Sequence, residues 1–456
     1  MNLTFCGGVR GVTGSCYFIE TKTHKLLIDC GMYQGEGKAE RQVEDFNFDP
    51  AKIDAVILTH AHYDHCGRLP VLAQKGFRGK IFCTPPTKAL SHLILKDSQH
   101  VMVENNHKKD TPILFTTDDV EMTDELMHVM NYHTEFEPVP GIKVMLHDVG
   151  HILGSAFVSL IVAAQHTKDG EKKTFVFSGD VGNDNVPILP DTELIERADV
   201  IVLESTYGNR EHETAEVKID KLKTMIDRVI GRGGTLIIPA FSIERTQELL
   251  YELDRLTDAG EIPSVPIYLD SPMAIRATEM YQHFSNYLRF DRNIFSSPDK
   301  DFFSFPNLHV TLSVDDSKRI NDNSQAKIII AGSGMMTGGR VMHHLQRYIE
   351  DPKAGILIIG YQAQGTLGRR IFNKEPKVRI YRDQYEVKAE VAAIGGFSAH
   401  ADRIKLRKWA KPKQGGLSEI YLVHGDKEAK EEFKPYLEQE TDAKVLIPQF
   451  WQQFEF

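Results

Sequence analysis

Nothing in these 456 residues supports a disulfide framework or a thiolate metal site. The five cysteines (Cys6, Cys16, Cys30, Cys66 and Cys83) are odd in number, fall in the first fifth of the chain and form no CxxC pair. They are expected to be small buried apolar residues. Long hydrophobic runs are missing too. No stretch nears the roughly 18 apolar residues of a membrane span, and MNLTFCGGVRG has neither the basic nor the apolar region of a secretory leader. A cytoplasmic protein with no membrane partner is the expectation. Positive charge is not in excess: Lys+Arg 54 against Asp+Glu 64 gives −10. That balance excludes a histone-like or sliding mode on nucleic acid and leaves only a local cleft for such contact. Fixed-period repeats, low-complexity tracts and heptads are also absent. What is present is ordinary globular material: 41% hydrophobic and 26% charged residues exclude disorder, and the length predicts two to four domains of roughly 100–200 residues each.

The first 200 residues read as short apolar strands (LTFCG, CYFIET, KLLIDC, DAVILTH, KIFCT, KVMLHD, FVSLIVAA, KTFVFSGD, DVIVLEST) with helical periodicity between them at Leu69 to Lys75, Thr87 to Val103 and Thr123 to Met130. Sheet and helix are interspersed, as in a layered α/β sandwich. From Val217 the rhythm becomes regular βα alternation of the kind that builds a parallel sheet. After about Lys377 short strands return, ending with a helix KEAKEEFKPYLEQE and a closing strand KVLIPQ. The one long loop-like stretch is Phe295 to Asn307, rich in Ser, Pro and Phe.

The most informative segment is THAHYDHCG at 59–67, directly after the strand DAVILT. His60, His62, Asp64 and His65 are four ligand types within six residues, at a strand end where a sheet fixes side chains rigidly, and imidazole suits a borderline metal such as Zn²⁺. His60 and His62 can point to one side of an extended segment while Asp64 and His65 face a second ion. His151 in DVGHILGSA and Asp180 in FVFSGDVGN each follow an apolar strand as well. Alone, each would read as a structural residue or plain turn chemistry. Beside the first cluster they complete it: His60, His62 and His151 for one ion, Asp64 and His65 for another, and Asp180 as the shared anionic bridge. Two dications about 3.5–4 Å apart would hold a hydroxide between them, which makes a metal-bridging hydroxide the expected nucleophile.

These residues resemble the metallo-β-lactamase superfamily, whose HxHxDH signature is met by His60, His62, Asp64 and His65, with Asp29 in LLIDCG, His151 and Asp180 matching its other motifs in order. The resemblance implies an αββα sandwich, and Asp29 as a residue orienting a ligand histidine through its other ring nitrogen. A histidine at 62, where diiron members carry a carboxylate, implies two Zn²⁺. The superfamily signature alone leaves thioesterase, lactamase, glyoxalase and nuclease open. Glu204 at the end of DVIVLE, His400 in GGFSAHADR and His424 in EIYLVHGD look like the three extra motifs of the β-CASP nucleases, the group of the pre-mRNA 3′-end-processing endonuclease and its bacterial and archaeal relatives. GGTLIIPAFSIERTQELL, PIYLDSPMA, AGSGMMTGGRVMHHL and GYQAQGTLGRRI carry the likeness across nearly the whole chain.

If His424 completes the second ion, the C-terminal strand returns to the first domain. The middle is then an insertion: residues 1–207 and 391–456 form the metallo-β-lactamase domain and 208–390 an inserted βα (β-CASP) domain, with substrate in the cleft between them. His400 is implied as the general acid, with Glu204 accepting its other N–H. Asp64 serves the chemistry as a ligand of the second ion. The loop Gly332–Gly339 precedes a helix, so Gly332, Ser333 and Gly334 could meet a phosphate through backbone N–H groups. Spacing fits a structural turn equally, and the resemblance tips it toward RNA. Arg245, with Arg369 and Arg370, is a candidate for added positive charge there. His92, Asn183, His343 and His344 are set aside as solvated.

The function implied is a zinc-dependent ribonuclease hydrolysing single-stranded RNA to 5′-phosphate and 3′-hydroxyl ends, with endonuclease favoured and exonuclease left open. His424 resembles the RNA-acting members, since the DNA-acting branch has valine there. The chain is read as the catalytic core without KH domains, and a homodimer is left open. The alternatives are a small-molecule ester or thioester hydrolase of the same fold and a non-catalytic RNA-processing scaffold.

Overall fold

The structure, a computed structural model, describes residues 1–34, 46–109, 111–184, 186–289 and 303–456. Of the stretch Phe295 to Asn307 only 303–307 fall within them. The chain divides into two compact units. One comprises Met1–Asp184, Leu189–Glu211 and His400–Phe456; the other His212–Ala399 with a short piece ending at Ile188.

The first unit contains two seven-stranded sheets. In one the order is Gln453–Glu455, Asn2–Phe5, Tyr17–Glu20, Lys25–Ile28, Ala55–Ile57, Lys80–Cys83, Met127–Val129. In the other it is Lys444–Leu446, Glu419–Val423, Val200–Glu204, Lys173–Phe177, Ala156–Val162, Ile142–Asp148, Phe136–Val139. Alternation decides which face of each strand is buried: Ile142–Asp148 hides Ile142, Val144 and Leu146 and turns Lys143 outward. Leu3, Phe5, Ile28 and Ile57 from the first sheet join Leu146, Val158, Phe177, Val202 and Tyr421 from the second in one buried cluster. Each such side chain contributes about 1.5–3 kcal/mol by burial. On its other face the second sheet buries Ile201, Leu203 and Leu422 against Leu406, Trp409, Phe433 and Leu437 of the helices Arg403–Trp409 and Lys427–Glu440. Helices Pro85–Lys109 and Thr117–Leu126 pack beside the edge strand Met127–Val129 of the first sheet. The architecture is the αββα sandwich.

The second unit is built on a six-stranded sheet, all parallel, in the order Leu308–Val310, Ile267–Asp270, Lys327–Ala331, Thr235–Pro239, Gly355–Ile358, Glu390–Ala393. Its central strands Thr235–Pro239 and Lys327–Ala331 are buried at every residue. That is why they read as unbroken apolar runs.

Three local readings differ from the structure. The helix read at Thr123 to Met130 runs instead over Thr117–Leu126, started by a capping box in which Thr116 and Asp119 exchange hydrogen bonds. Met127–Val129 leaves it to pair with Ile81–Cys83, so ladder formation overrides helical periodicity. The strand read as KVLIPQ is Lys444–Leu446 and does not close the chain, because Gln453–Glu455 follows and pairs with Asn2–Thr4. The second unit ends at Ala399 rather than near 390, because Glu390–Ala393 is its sixth strand, paired with Gly355–Ile358.

Candidate metal centre

Most residues singled out in the first unit sit just beyond, or at, the C-terminal end of a strand; Asp64 and His65 lie in the short helix Tyr63–Cys66, and His400 follows the turn Gly395–Phe397. Asp29 follows Lys25–Ile28, His60 and His62 follow Ala55–Ile57, His151 follows Ile142–Asp148, and Asp180 follows Lys173–Phe177. Glu204 ends Val200–Glu204, and His424 follows Glu419–Val423. The last two strands are parallel and in register, Glu204 opposite Val423, which sets His424 beside the Glu204 segment. Asp29 and His424 hold left-handed backbone (φ 58° and 48°). Outside glycine this conformation costs on the order of 1–3 kcal/mol and is kept where the surroundings enforce it.

Two groups of donor atoms converge. His60, His62, His151 and Asp180 form one, and Asp64, His65 and His424 the other. In the first, His62 Nδ1 lies 3.2 Å from both His60 Nε2 and His151 Nε2, and Asp180 Oδ2 lies 3.4 Å from each of those two nitrogens. In the second, His424 Nε2 is 3.2 Å from Asp64 Oδ2 and 3.4 Å from His65 Nε2, and Asp180 Oδ1 is 3.3 Å from His65 Nε2. Donors arranged tetrahedrally around a Zn²⁺ ion at 2.0–2.1 Å are about 3.3 Å apart. The spacing fits a metal. So does the chemistry: three imidazoles and a carboxylate converge in the first group, a donor set suited to a borderline dication. Asp180 Oδ1 is buried without a hydrogen-bond partner while its carboxylate faces both groups, one oxygen to each.

The protonation states divide the two groups. Burial pushes the His60, His62 and His151 imidazolium forms down, and neighbouring imidazoles add to it, so these three are neutral. Burial also acts against charge on His65 and His424, but Asp180 with Asp29 outweighs it at His65, and Asp180 with Asp64 at His424; both are raised. Burial would raise Asp64, yet His424 and His65 hold it down to about 2.

A layer behind the donors fixes their orientation. Asp29 Oδ2 accepts from His65 Nδ1–H at 2.7 Å, and its Oδ1 accepts the Thr59 N–H at 2.8 Å. The Thr59 hydroxyl donates to Asp29 Oδ2 at 2.8 Å and accepts from His60 Nδ1–H at 3.0 Å. Thr206 does the same for His424: its hydroxyl donates to the His424 carbonyl at 3.1 Å and accepts from Nδ1–H at 3.2 Å. Each contact leaves the opposite ring nitrogen to face the donor group. Neither threonine was singled out from sequence; the only signal is position, Thr59 abutting the first histidine and Thr206 two residues past Glu204. Thr59→Val is expected to weaken metal binding by about 10–100-fold, the usual cost of losing such a partner, measured by competition with a chelator. Unchanged affinity would show that Thr59 is not an orienting residue.

His400 lies alongside. Its Nδ1 is 3.2 Å from Glu204 Oε1 and 3.9 Å from Asp180 Oδ2. Glu204 is fully buried, and it also accepts the Val181 N–H at 2.9 Å and the Thr206 N–H at 3.1 Å. An isolated bridge between Gly182 and His400, with Ala401 N–H donating to Val181 O at 2.8 Å, fastens the histidine. Asp180, His400 and His424 donors also lie close enough together to hold an ion.

The residues read from sequence in the second unit fare differently. Gly332, Ser333 and Gly334 follow the strand Lys327–Ala331, and their loop bonds to itself: Ser333 N–H donates to Gly338 O at 3.3 Å and Thr337 N–H to Ser333 Oγ at 3.0 Å. Gly334 packs so closely on Phe241 that an added Cβ would lie 2.6 Å from the ring. Arg245 is corrected. It is 5% exposed and its guanidinium pairs with Glu244 and Glu248, so it lies within a buried cluster rather than on a surface open to a ligand. Arg370 pairs with Glu375. His344, set aside as solvated, is 3% exposed and bonds Asp270 Oδ2 at 2.7 Å, with Arg340, Thr311 and Ser317 on the same carboxylate.

All five cysteines are buried and unpaired. Among the described residues, no helix is long and apolar enough to cross a membrane.

Comparison with known proteins gives three family matches: the metallo-beta-lactamase superfamily at residues 9–131, a Beta-Casp domain at 246–371 and a Zn-dependent metallo-hydrolase RNA specificity domain at 384–448. Ribonuclease TTHA0252 of Thermus thermophilus is 36% identical over 94% of this chain and 94% of its own. Transcription termination factor FttA of Methanosarcina mazei is 32% identical over 94% of this chain and 67% of its own. An RNase J-like protein of Methanocaldococcus jannaschii is 31% identical over 93% of this chain and 92% of its own. A crystal structure of a protein of unknown function from Enterococcus faecalis V583 superposes over 99% of both chains with a TM-score of 0.54 at 13% identity, which speaks to the fold alone.

Proposed function

The chain belongs to the metallo-β-lactamase superfamily, in its β-CASP ribonuclease branch, and from that premise we propose that it is a two-zinc ribonuclease hydrolysing single-stranded RNA to 5′-phosphate and 3′-hydroxyl ends. The observation that carries the reading is Asp180, one carboxylate presenting an oxygen to each of two converging donor groups. RNA as substrate rests on the relatives named ribonuclease and on the RNA specificity match.

His60, His62 and His151 with Asp180 Oδ2 would hold one ion, and Asp64, His65 and His424 with Asp180 Oδ1 the other. When bound, the ions supply Lewis-acid chemistry, acidifying water toward neutrality and stabilising charge on phosphoryl oxygens. Thr59, Asp29 and Thr206 hold the ligand rings in register. His400 keeps its Nδ1 proton on Glu204 and delivers a proton from Nε2 to the leaving oxygen, as a positioned general acid does. Gly332, Ser333 and Gly334 are proposed to contact the RNA backbone, a role Arg245 does not share.

A scaffold would tolerate loss of ligands, and every donor of both groups is in place. Metal analysis of the purified, dialysed protein tests the reading: two zinc ions per chain are expected, and one equivalent at saturation would contradict it. Acid should separate the two ions. Metal binding requires deprotonated ligands. His65 and His424, held above the usual histidine range, take up protons at higher pH than His60, His62 and His151, held below it. Titrating from about pH 8 to about pH 5, one ion should therefore leave first, and that early loss should vanish in His424→Ala, whose second group has lost a ligand and holds no ion at the start. Simultaneous release of both ions would contradict the assignment.

A further inference from the structure

We propose that His133, His147 and Glu193 form a second, surface metal site that takes a first-row transition dication such as Zn²⁺. Their donor atoms lie within 4.8 Å of one another. The proposal is independent of the chemistry at Asp180, with which these residues share no ligand.

Three segments distant in sequence bring the donors together. His147 lies in the strand Ile142–Asp148, its ring stacked on Phe157 at 4.5 Å and 8°, which fixes the imidazole plane. His133 sits in left-handed backbone (φ 58°), and its N–H donates to Leu146 O at 3.0 Å, tying that turn to the same strand. Strain of this kind persists only where neighbours enforce it, and it sets the direction of the side chain. Glu193 is fastened at both ends of its peptide: its N–H donates to Asp148 O at 3.0 Å, and its carbonyl accepts Trp409 Nε1–H at 2.8 Å. All three side chains therefore stand on backbone anchored to one strand, which holds their donor atoms in place before an ion arrives.

The donor chemistry selects the ion. Glu193 Oε1 and Oε2 both lie 2.9 Å from His133 Nε2, and Oε2 lies 3.7 Å from His147 Nδ1. One carboxylate thus faces two imidazoles, and a dication among them would be matched by all three. Two imidazoles and one carboxylate suit Zn²⁺, Ni²⁺, Co²⁺ or Cu²⁺, whereas Mg²⁺ and Ca²⁺ want oxygen ligands. The side chains are 61%, 15% and 33% exposed. An ion there would keep water in its remaining positions and exchange readily. Such an ion would clip the 133 turn, the strand and the 193 segment together.

The test is zinc uptake by the full chain, already loaded with its tightly held metal, at increasing free zinc. The parent should bind one further equivalent. His133→Ala, which truncates the most exposed of the three side chains, and Glu193→Gln, which keeps the size and one acceptor oxygen, should each lose that equivalent while retaining the tightly held zinc and the parent's RNA cleavage. Asp180→Ala should keep it, which separates failure here from failure of the two-ion assignment. Equal uptake by the parent and both variants would overturn the proposal.

Discussion

Asp180→Ala should strip both ions from the protein at once. Its two oxygens are the only groups shared between the donor sets, 3.4 Å from His60 and His151 Nε2 on one side and 3.3 Å from His65 Nε2 on the other. The carboxylate does two jobs: it supplies a ligand to each ion, and it provides the negative charge that offsets two dications in a buried site. Bound zinc, from two equivalents in the parent, should fall below one. RNA cleavage should drop to the level of the chelator-treated parent. The fold should survive, since the sandwich core of Phe177, Val202 and Tyr421 is untouched. Asp180→Asn keeps the shape and one acceptor oxygen per variant but not the bridge, so it should retain at most one ion. Retention of two zincs by Asp180→Ala would remove the bridge from the account.

His400→Ala should lose about 10²–10⁴-fold in rate, the usual worth of a positioned general acid, while keeping both ions and the native fold. The metal readout matters because the geometry allows two roles. His400 Nδ1 faces Glu204 Oε1 at 3.2 Å, yet Asp180, His400 and His424 donors also converge. An acid leaves metal content untouched when removed; a ligand does not. Glu204→Gln should lose a similar or smaller factor, because Glu204 acts through the histidine. The double variant should lose little beyond the worse single one, since residues working as a unit are not additive. Loss of one zinc in His400→Ala would make it a ligand and leave the leaving-group proton to another side chain.

What could be read from sequence follows from how local each feature is. His60, His62, Asp64 and His65 announce themselves because four ligands in six residues have no common structural use. His151 and Asp180 are legible through strand-end position combined with that first cluster, and His424 through its likeness to the β-CASP motifs. Thr59 and Thr206 are not: a threonine after a strand carries no spacing signal, and its role appears only when the sheet brings Asp29 and His60, or His424, against the hydroxyl. Arg245 misled for the opposite reason. An arginine opening an amphipathic helix reads as solvated, and the carboxylates that surround it are recognisable as partners only once buried with it. His344 was missed likewise, its partner Asp270 lying at the end of another strand. The layered sandwich and the parallel sheet of the middle region were legible because alternating and unbroken apolar runs distinguish one-face from two-face burial, while the insertion came from His424 and the family likeness. The start of the helix at Thr117 was not, because its capping box precedes any apolar periodicity.

The most direct test of the account is cleavage of a labelled single-stranded RNA, with DNA of the same sequence in parallel, by protein of known zinc content before and after chelation, with the product ends identified. The account predicts that the RNA alone is cut, that activity follows zinc, and that the ends are 5′-phosphate and 3′-hydroxyl, the products of water attack on phosphorus with the 3′-oxygen as leaving group. Cleavage that survives complete metal removal, or 2′,3′-cyclic phosphate ends marking attack by the ribose hydroxyl, would contradict it.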